Sequence, residues 1–243
     1  MNTHPHAAYE NTCVVLATYN EAPNLQKLVP QLLATLPGAR VIVVDDNSPD
    51  GTPAMLAEIA KSQPNLLPLI REKKAGYGSA VLEGLKHGLE LGADRIATLD
   101  ADFSHDPAAL PLLFEALNDA DVAIGSRYFE GVRVLNWHPS RLLLSLFANI
   151  YVKTILNIPV EDATSGFRAY RRPAVEALSN ARINSVGYSF LFEILFFLYR
   201  RGLRIVEVPI IYTERREGQS KMSGSVIREA VLRPWLLRLS RKQ

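Results

Sequence analysis

The run VIVVDD at residues 41–46 indicates the fold, because four β-branched apolar residues lead directly into two aspartates. A strand without apolar–polar alternation is typical of a parallel sheet that helices cover on both faces. Around this run, short apolar segments alternate with helical patterns between residues 12 and 125. We therefore predict an α/β fold with a mostly parallel sheet flanked by helices. In such sheets, ligands bind beyond the carboxyl ends of the strands.

The first half of the chain predicts strands at residues 12–18, 40–45, 66–70, 95–99 and 121–125, and helices at residues 22–36, 52–61, 77–91 and 107–117. The second half predicts helices at residues 141–158, 190–201 and 223–241, a strand at 204–209, and a loop or strand over 162–171. Glu193 is the only interior charge of the 190–201 helix, so we expect this helix in the core. Because no repeat or linker divides the chain, we predict one domain spanning residues 1–243.

The 243 residues are 48% hydrophobic and 21% charged, which excludes disordered and disulfide-scaffold classes. Residues 1–126 carry 8 Lys or Arg and 16 Asp or Glu, a net charge of −8, whereas residues 127–243 carry 19 and 9, a net charge of +10. Cys13, the only cysteine, lies in an apolar run, so we expect its side chain to be buried as a small hydrophobic group. A single cysteine forms no disulfide within the chain, which fits a protein of a reducing compartment. We find no secretory signal and no apolar run of ~18 residues that predicts a membrane span.

Aspartates follow two of the predicted strands. Asp45 and Asp46 end one strand, and Asp100 and Asp102 end a later one. Residues two apart in an extended segment point the same way, so the second pair can address one ligand. Paired carboxylates suit Mg²⁺ or Mn²⁺ bridging phosphates. The alternative is that these aspartates cap the helices that follow, as we expect for Asp106.

The segment KKAGYGSA, residues 73–80, is a glycine-rich turn that leads into a helix. It lacks the full dinucleotide-binding pattern, and no phosphate-binding P-loop pattern occurs in the chain, which disfavours both of those classes. A plain helix-entry turn remains the alternative to a ligand-binding one.

The segments ATYNEAPNL, VVDDNSPDGT, LDADFSHDP, GSRY, DATSGFRAYRR and VPIIYTERREGQSKMS occur in the order and spacing of the inverting family 2 glycosyltransferases. More narrowly, the chain resembles the dolichol-phosphate (polyprenol-phosphate) mannosyltransferases from residue 12 to about residue 225. The resemblance implies a GT-A fold with a Rossmann-like sheet. Residues 12–126 then form the nucleotide-sugar half, and residues 127–243 form the acceptor and membrane-facing half.

The resemblance implies transfer of mannose from GDP-mannose to a polyprenyl monophosphate. It places the nucleotide-sugar site at Ala17, Tyr19, Glu21, Val44, Asp46, Lys74, Asp100, Ala101 and Asp102. It places the acceptor phosphate at Arg127, Arg141, Ser145, Arg215 and Lys221, the metal at Asp102 and Ser104, and the catalytic groups at Asp102, Arg127 and Arg215. UDP-glucose or a UDP-N-acetylhexosamine is the alternative donor.

Two positions depart from the family pattern. Ala17 replaces the usual proline of the first motif, which removes no polar group. Ser104 replaces a frequent glutamine on the metal side, and its hydroxyl can reach a metal directly or through water.

The expected chemistry follows from charge. A phosphate monoester with a second pKa near ~6 is already a nucleophilic anion at neutral pH, so no general base is needed. We accordingly expect His105 and His138 to be structural or to face solvent. The main difficulty is repulsion between acceptor and donor phosphates, which a metal and the cationic side chains of the second half can offset.

The 141–158 helix has a polar residue at every fourth position, and these residues form one polar stripe: Arg141, Ser145, Asn149, Lys153 and Asn157. One interpretation is a core helix with a wet edge; the other is an interfacial helix resting in a bilayer surface. Residues 214–243 carry 8 Lys or Arg and 3 Asp or Glu, which suits an anionic leaflet. We expect a protein peripheral to the cytoplasmic membrane face, with a possible membrane-anchoring subunit. The competing class, a nucleic-acid binder, lacks any recognised motif, and we expect no nucleic-acid partner.

Overall fold

The computed structural model describes residues 9–185, 187–214 and 224–240, with no description of the side chains of residues 224–227. Within this part of the chain, the strands are β1 (Thr12–Thr18), β2 (Arg40–Asp45), β3 (Leu66–Ile70), β4 (Arg95–Leu99), β5 (Val122–Ser126), β6 (Val134–Leu135), β7 (Arg168–Arg171), β8 (Ile205–Pro209) and β9 (Tyr212–Thr213). The helices are α1 (Ala22–Thr35), α2 (Thr52–Ser62), α3 (Tyr77–Glu90), α4 (Leu110–Ala116), α5 (Pro139–Leu156), α6 (Arg172–Ser179), α7 (Ser189–Arg200) and α8 (Gly224–Leu239).

The main sheet has the strand order β3-β2-β1-β4-β7-β5-β8. All neighbouring strands are parallel except β7, which runs antiparallel between β4 and β5. Side chains alternate between two apolar layers: Val14 and Leu16 face one layer, and Cys13 and Val15 face the other. The predicted mostly parallel sheet with helices on both faces is therefore confirmed.

Several boundaries and elements differ from the sequence-based prediction. The helix expected at 107–117 begins with a 3-10 turn, Pro107–Ala109, before α4. The segment over 162–171 resolves into a loop followed by β7. The sequence did not predict α6, because eight residues give too few turns for a clear periodicity, nor the two-residue strands β6 and β9, which pair with each other.

The exposure of α5 tests the core-helix interpretation of its polar stripe, whereas contact with a bilayer stays a prediction. Leu143 and Phe147 are each 67% exposed, whereas Asn149 is 3% exposed. The stripe therefore faces the protein around Asn149, and an apolar face is open to solvent. The core-helix interpretation is wrong, because the edge in contact with solvent is apolar. Among the described helices, none has the length and apolarity needed to cross a bilayer.

α7 lies in the core, as its composition predicts, with Glu193 completely buried. The Glu193 carboxylate accepts hydrogen bonds from Arg233 Nη2 at 2.5 Å and from the backbone N–H of Ser185 at 3.0 Å. This ion pair fixes α8 against α7. Cys13 is also buried, and burial raises the pKa of its thiol to about 11, which agrees with its predicted role as a small hydrophobe.

Candidate active site

The candidate site lies along the carboxyl edge of the sheet. Strands β2, β1 and β4 are adjacent and parallel, so Asp46, Tyr19 and Asp100, which follow them, share one edge. β5 points the same way beyond β7 and brings Arg127 to that edge. The topology thus brings the predicted donor-side and acceptor-side segments to one side of the sheet.

Asp46 organises the glycine-rich turn. Its carboxylate accepts from Arg71 Nη1 at 2.7 Å and from the backbone N–H groups of Ala75 and Gly76 at 3.2 and 2.9 Å. The turn is thereby held against the end of β2. Sequence reasoning missed Arg71, although an arginine directly after a strand at this edge was a usable signal.

Other donor-side residues surround that turn. Lys74 Nζ lies 3.7 Å from the centre of the Tyr19 ring, so these two predicted nucleotide contacts are adjacent. Glu21 accepts from Asn24 Nδ2 at 2.8 Å at the start of α1. Val44, also predicted to contact the nucleotide, is completely buried inside the sheet, so no part of this residue is open to a ligand in this structure. Ala17, its partner in the β1–β2 register, is half-buried.

Asp100 is the more open member of the carboxylate pair at the end of β4. Its side chain is 34% exposed, and Tyr77 Oη donates to its Oδ1 at 3.4 Å. Gly166 lies against both groups, since a Cβ there would be 2.7 Å from Tyr77 Oη and 3.3 Å from Asp100 Oδ1. Only a residue without a side chain fits this position unless its neighbours move.

Asp102 is held by the backbone and hydroxyl of one residue. Its Oδ1 accepts from the Ser104 backbone N–H at 3.1 Å and from Ser104 Oγ at 2.5 Å. Ser104 is 1% exposed and Ala101 is 5% exposed. The hydroxyl expected to reach a metal thus orients Asp102 in this structure.

The residues present fit a divalent cation that shares its coordination with substrate phosphates. Within the described residues, no group of three or more His, Cys, Asp or Glu can hold a metal by itself. One or two carboxylates with substrate phosphate oxygens are the usual environment of Mg²⁺. Asp100 and Asp102 supply carboxylates of that kind at the carboxyl edge.

The two histidines have the structural roles predicted for them. His105 is 1% exposed, stacks on Phe167 with ring centres 5.0 Å apart, and accepts from the Asp100 backbone N–H at 3.3 Å. Burial lowers the pKa of His105, which favours the neutral ring. His138 is exposed and caps the start of α5. Asp106 likewise caps the turn after it by accepting from Ala108 N–H at 2.9 Å.

Arg127 is clamped by Asp162. Its Nε and Nη2 lie 2.7 and 2.6 Å from the two carboxylate oxygens, and its Nη2 also donates to Thr164 Oγ1 at 2.7 Å. Burial alone would raise the pKa of Asp162, but the Arg127 charge holds it below its usual range. The same pairing raises the pKa of Arg127. The segment that contains Asp162 carries part of the family resemblance, but no role is predicted for this residue from the sequence.

Aromatic rings link Arg127 to the start of α5. Trp137 lies with its ring centre 5.7 Å from the Arg127 guanidinium carbon and 4.3 Å from that of Arg141. Arg141 pairs with Glu214 at 2.6 Å, and Ser145 Oγ accepts from Tyr128 Oη at 2.6 Å. The structure thus groups the predicted acceptor residues 127, 141 and 145. The predictions for Arg215 and Lys221 lie outside the described residues.

The geometry therefore places carboxylates suited to a metal and cations suited to phosphates along one sheet edge. Residues 13–179 match the family described as Glycosyl transferase family 2. The chain belongs to this family of glycosyltransferases.

Two relatives are similar to the chain over most of its length. The chain is 42% identical to the polyprenol monophosphomannose synthase of Mycolicibacterium smegmatis over 226 residues, covering 92% of this chain and 85% of the relative. It is 41% identical to the undecaprenyl-phosphate mannosyltransferase of Micrococcus luteus, covering 90% of each chain.

Solved structures share the fold at low sequence identity. Glucosyl-3-phosphoglycerate synthase from Mycobacterium tuberculosis, solved with Mn²⁺, UDP and glucosyl-3-phosphoglycerate, gives a TM-score of 0.69 at 18% identity over 98% of this chain and 83% of that one. The mannosyltransferase PcManGT from Pyrobaculum calidifontis, solved with GDP-Man and Mn²⁺, gives 0.62 at 18% over 97% and 72%. At this identity, both similarities bear on the fold alone.

Proposed function

We propose that this enzyme transfers mannose from GDP-mannose to the phosphate of a polyprenyl monophosphate, with inversion at the sugar. The observation that carries the proposal is the shared sheet edge, which carries Asp100 and Asp102 after β4 and Arg127 after β5. The names of the two relatives at 41–42% identity support mannose as the sugar and a polyprenyl phosphate as the acceptor.

The side chains of this site act by binding and orienting. Asp46 holds the glycine-rich turn, and Lys74 lies against the Tyr19 ring. The nucleotide binds against this turn and this ring. Asp100 and Asp102 would hold a divalent cation, Mg²⁺ or Mn²⁺, which would supply positive charge to neutralise the departing diphosphate. No side chain has to remove a proton, because the acceptor phosphate is already an anion at neutral pH.

The cations of the second half reduce repulsion between the two phosphate groups. Arg141 lies 40% exposed beside Trp137, where it can reach an incoming phosphate. Arg127 is buried behind it, and its positive charge is fixed by Asp162. Preorganised charges of this kind stabilise a charged transition state without reorganisation at the moment of reaction. Arg215 and Lys221 are proposed to complete the phosphate site.

The apolar face of α5 and α8 is proposed to rest on the membrane that holds the acceptor. Its exposed side chains are Leu143, Leu144, Phe147, Ile150, Val231, Leu232, Trp235, Leu236 and Leu239. Tyr151 joins the two helices, since its Oη accepts from Trp235 Nε1 at 2.9 Å and donates to the Val231 carbonyl at 2.7 Å. The basic C-terminal segment suits the anionic cytoplasmic leaflet, and a membrane-anchoring subunit would reinforce this contact.

A donor competition experiment tests the proposal against the alternative of a UDP-sugar. The purified enzyme is incubated with a short polyprenyl phosphate and GDP-mannose, UDP-glucose or UDP-N-acetylglucosamine, each with and without Mg²⁺ or Mn²⁺. We expect metal-dependent transfer with GDP-mannose as the preferred donor. Preference for a UDP-sugar would overturn the donor assignment, and no transfer from any donor would overturn the proposed function.

A further inference from the structure

The inner face of α5 contacts the site at three positions, each four residues from the next. The contacts pair Ser145 with Tyr128, Asn149 with Thr164, and Lys153 with Glu161. Four-residue spacing puts the three polar side chains on one side of the helix. The helix that carries the exposed apolar face is thus also fastened to the segments around Arg127.

The middle contact leads directly to the buried guanidinium. Asn149 Nδ2 donates to Thr164 Oγ1 at 3.2 Å, and Arg127 Nη2 donates to the same oxygen at 2.7 Å. The Thr164 hydroxyl donates in turn to Asp162 Oδ1 at 3.3 Å. A hydroxyl has one donor and two acceptor sites, so these contacts use all of them. Asn149 therefore fixes the direction in which the hydroxyl faces Arg127.

Stability does not explain an amide at position 149. Asn149 is 3% exposed, and its Oδ1 has no hydrogen-bond partner in the part of the chain that the structure describes. A buried acceptor without a partner destabilises a fold, and an apolar side chain of the same shape avoids that cost. Leucine has nearly the shape of asparagine, yet the chain carries the amide. Its Nδ2 donates to the Ser145 carbonyl of the same helix at 3.0 Å and to Thr164 Oγ1 at 3.2 Å, and only the second contact reaches another segment.

We propose that Asn149 is a positioning residue that acts through Thr164 to fix the Arg127 guanidinium for the acceptor phosphate. The inference rests on the proposed function for its catalytic consequence. It links the helix that carries the apolar face to the charge beside the phosphate. Neither Asn149 nor Thr164 contacts the reacting groups in this account.

Isosteric variants test the proposal. Asn149→Leu and Thr164→Val remove the amide and the hydroxyl with little change of shape, and Thr164→Ser keeps the hydroxyl. We expect Asn149→Leu and Thr164→Val each to lower kcat/KM for polyprenyl phosphate by roughly 10-fold to 100-fold, the range for a slightly misplaced group. GDP affinity stays unchanged, and Thr164→Ser recovers most of the activity. Thr154→Val, at an exposed position of the same helix, is the matched control.

Two further readouts separate positioning from a structural role. The Asn149→Leu/Thr164→Val double variant should lose no more activity than the worse single variant, because both act through one chain of contacts. The thermal midpoint of Asn149→Leu should equal or exceed that of the wild type. Arginine-labelled NMR should detect faster rotation of the Arg127 guanidinium in both single variants and slow rotation in Thr164→Ser.

Specific results would overturn the inference. These are wild-type acceptor kinetics in Asn149→Leu, multiplying losses in the double variant, a lower midpoint accompanying the activity loss, or an unchanged Arg127 signal. If the wild type transferred no sugar while the Arg127 signals responded as expected, the proposed function would fail and the positioning of Arg127 would stand.

Discussion

Arg127 and Asp162 form a buried two-bond ion pair, with the Arg127 side chain 9% exposed and the Asp162 side chain fully buried. Residues 35 apart in sequence thus neutralise each other at the carboxyl edge of the sheet. Removing one partner of a buried pair leaves an uncompensated charge, which typically costs about 3–5 kcal/mol. We expect Asp162→Asn to lower the free energy of unfolding by that amount at neutral pH, as measured by urea denaturation.

The same pair predicts a pH dependence. The pKa of Asp162 is lowered in the folded state, so its contribution is fully present above the unfolded value of about 3.9 and is lost as pH falls through the folded pKa. The difference in stability between wild type and Asp162→Asn should therefore shrink below about pH 4. Glu58→Gln, which breaks the exposed pair with Lys61, is the control and should change little at any pH. A constant difference across the acid range would contradict this account.

Alanine at position 166 should be less harmful when Tyr77 loses its hydroxyl. The added Cβ would lie 2.7 Å from Tyr77 Oη, and overpacking of this kind costs typically about 1–3 kcal/mol. We expect Gly166→Ala to lower both the thermal midpoint and kcat/KM for the donor. In Gly166→Ala/Tyr77→Phe, part of both losses should be recovered. A double variant worse than Gly166→Ala alone would show that the clash lies elsewhere.

Excess metal should restore the transfer rate of a Ser104 variant but not that of an Asp102 variant. Partners that orient a metal ligand typically contribute roughly 10-fold to 100-fold in metal affinity, so Ser104→Ala should need that much more Mn²⁺ for half-maximal rate. At saturating Mn²⁺ its rate should approach that of the wild type, whereas Asp102→Asn should stay inactive. Asp106→Asn, which alters only a helix cap, should titrate like the wild type. A Ser104→Ala defect that excess metal leaves uncorrected would contradict the orienting role.

The apolar face of α5 and α8 should determine vesicle binding. Burying a leucine or phenylalanine side chain contributes roughly 1.5–3 kcal/mol, so Leu143→Glu/Phe147→Glu should weaken binding to anionic vesicles by at least about tenfold. Leu112→Glu is the control, because Leu112 is 52% exposed on α4, outside this face. Co-sedimentation measures the binding, and transfer to a short acceptor in detergent should persist. Equal binding by the two charge variants and the wild type would exclude this face as the membrane contact.

Local pattern predicted the first half of the fold well. Continuous β-branched runs such as residues 41–44 identify buried parallel strands, and the aspartates after them predict the edge of the sheet that carries the candidate site. The same patterns were weak where elements were short, as with α6 and the two-residue strands.

Partners at the site depend on the folded topology, and sequence alone did not reveal them. Asp46 meets Arg71 across 25 positions, and Arg127 meets Asp162 because β7 inserts beside β5. Periodicity located the polar stripe of α5 but not the side it faces. The stripe pairs with the hydroxyls of Tyr128 and Thr164, which lie 17 and 15 residues away in sequence, so its orientation depends on the folded topology.

The most direct measurement compares initial rates of mannose transfer from GDP-mannose to undecaprenyl phosphate and to undecaprenol, with the product identified by mass spectrometry and its anomeric configuration by NMR. We predict one hexose on the phosphate, an inverted anomeric centre, and no product from the alcohol. Equal transfer to both acceptors, or a product with retained configuration, would contradict this prediction.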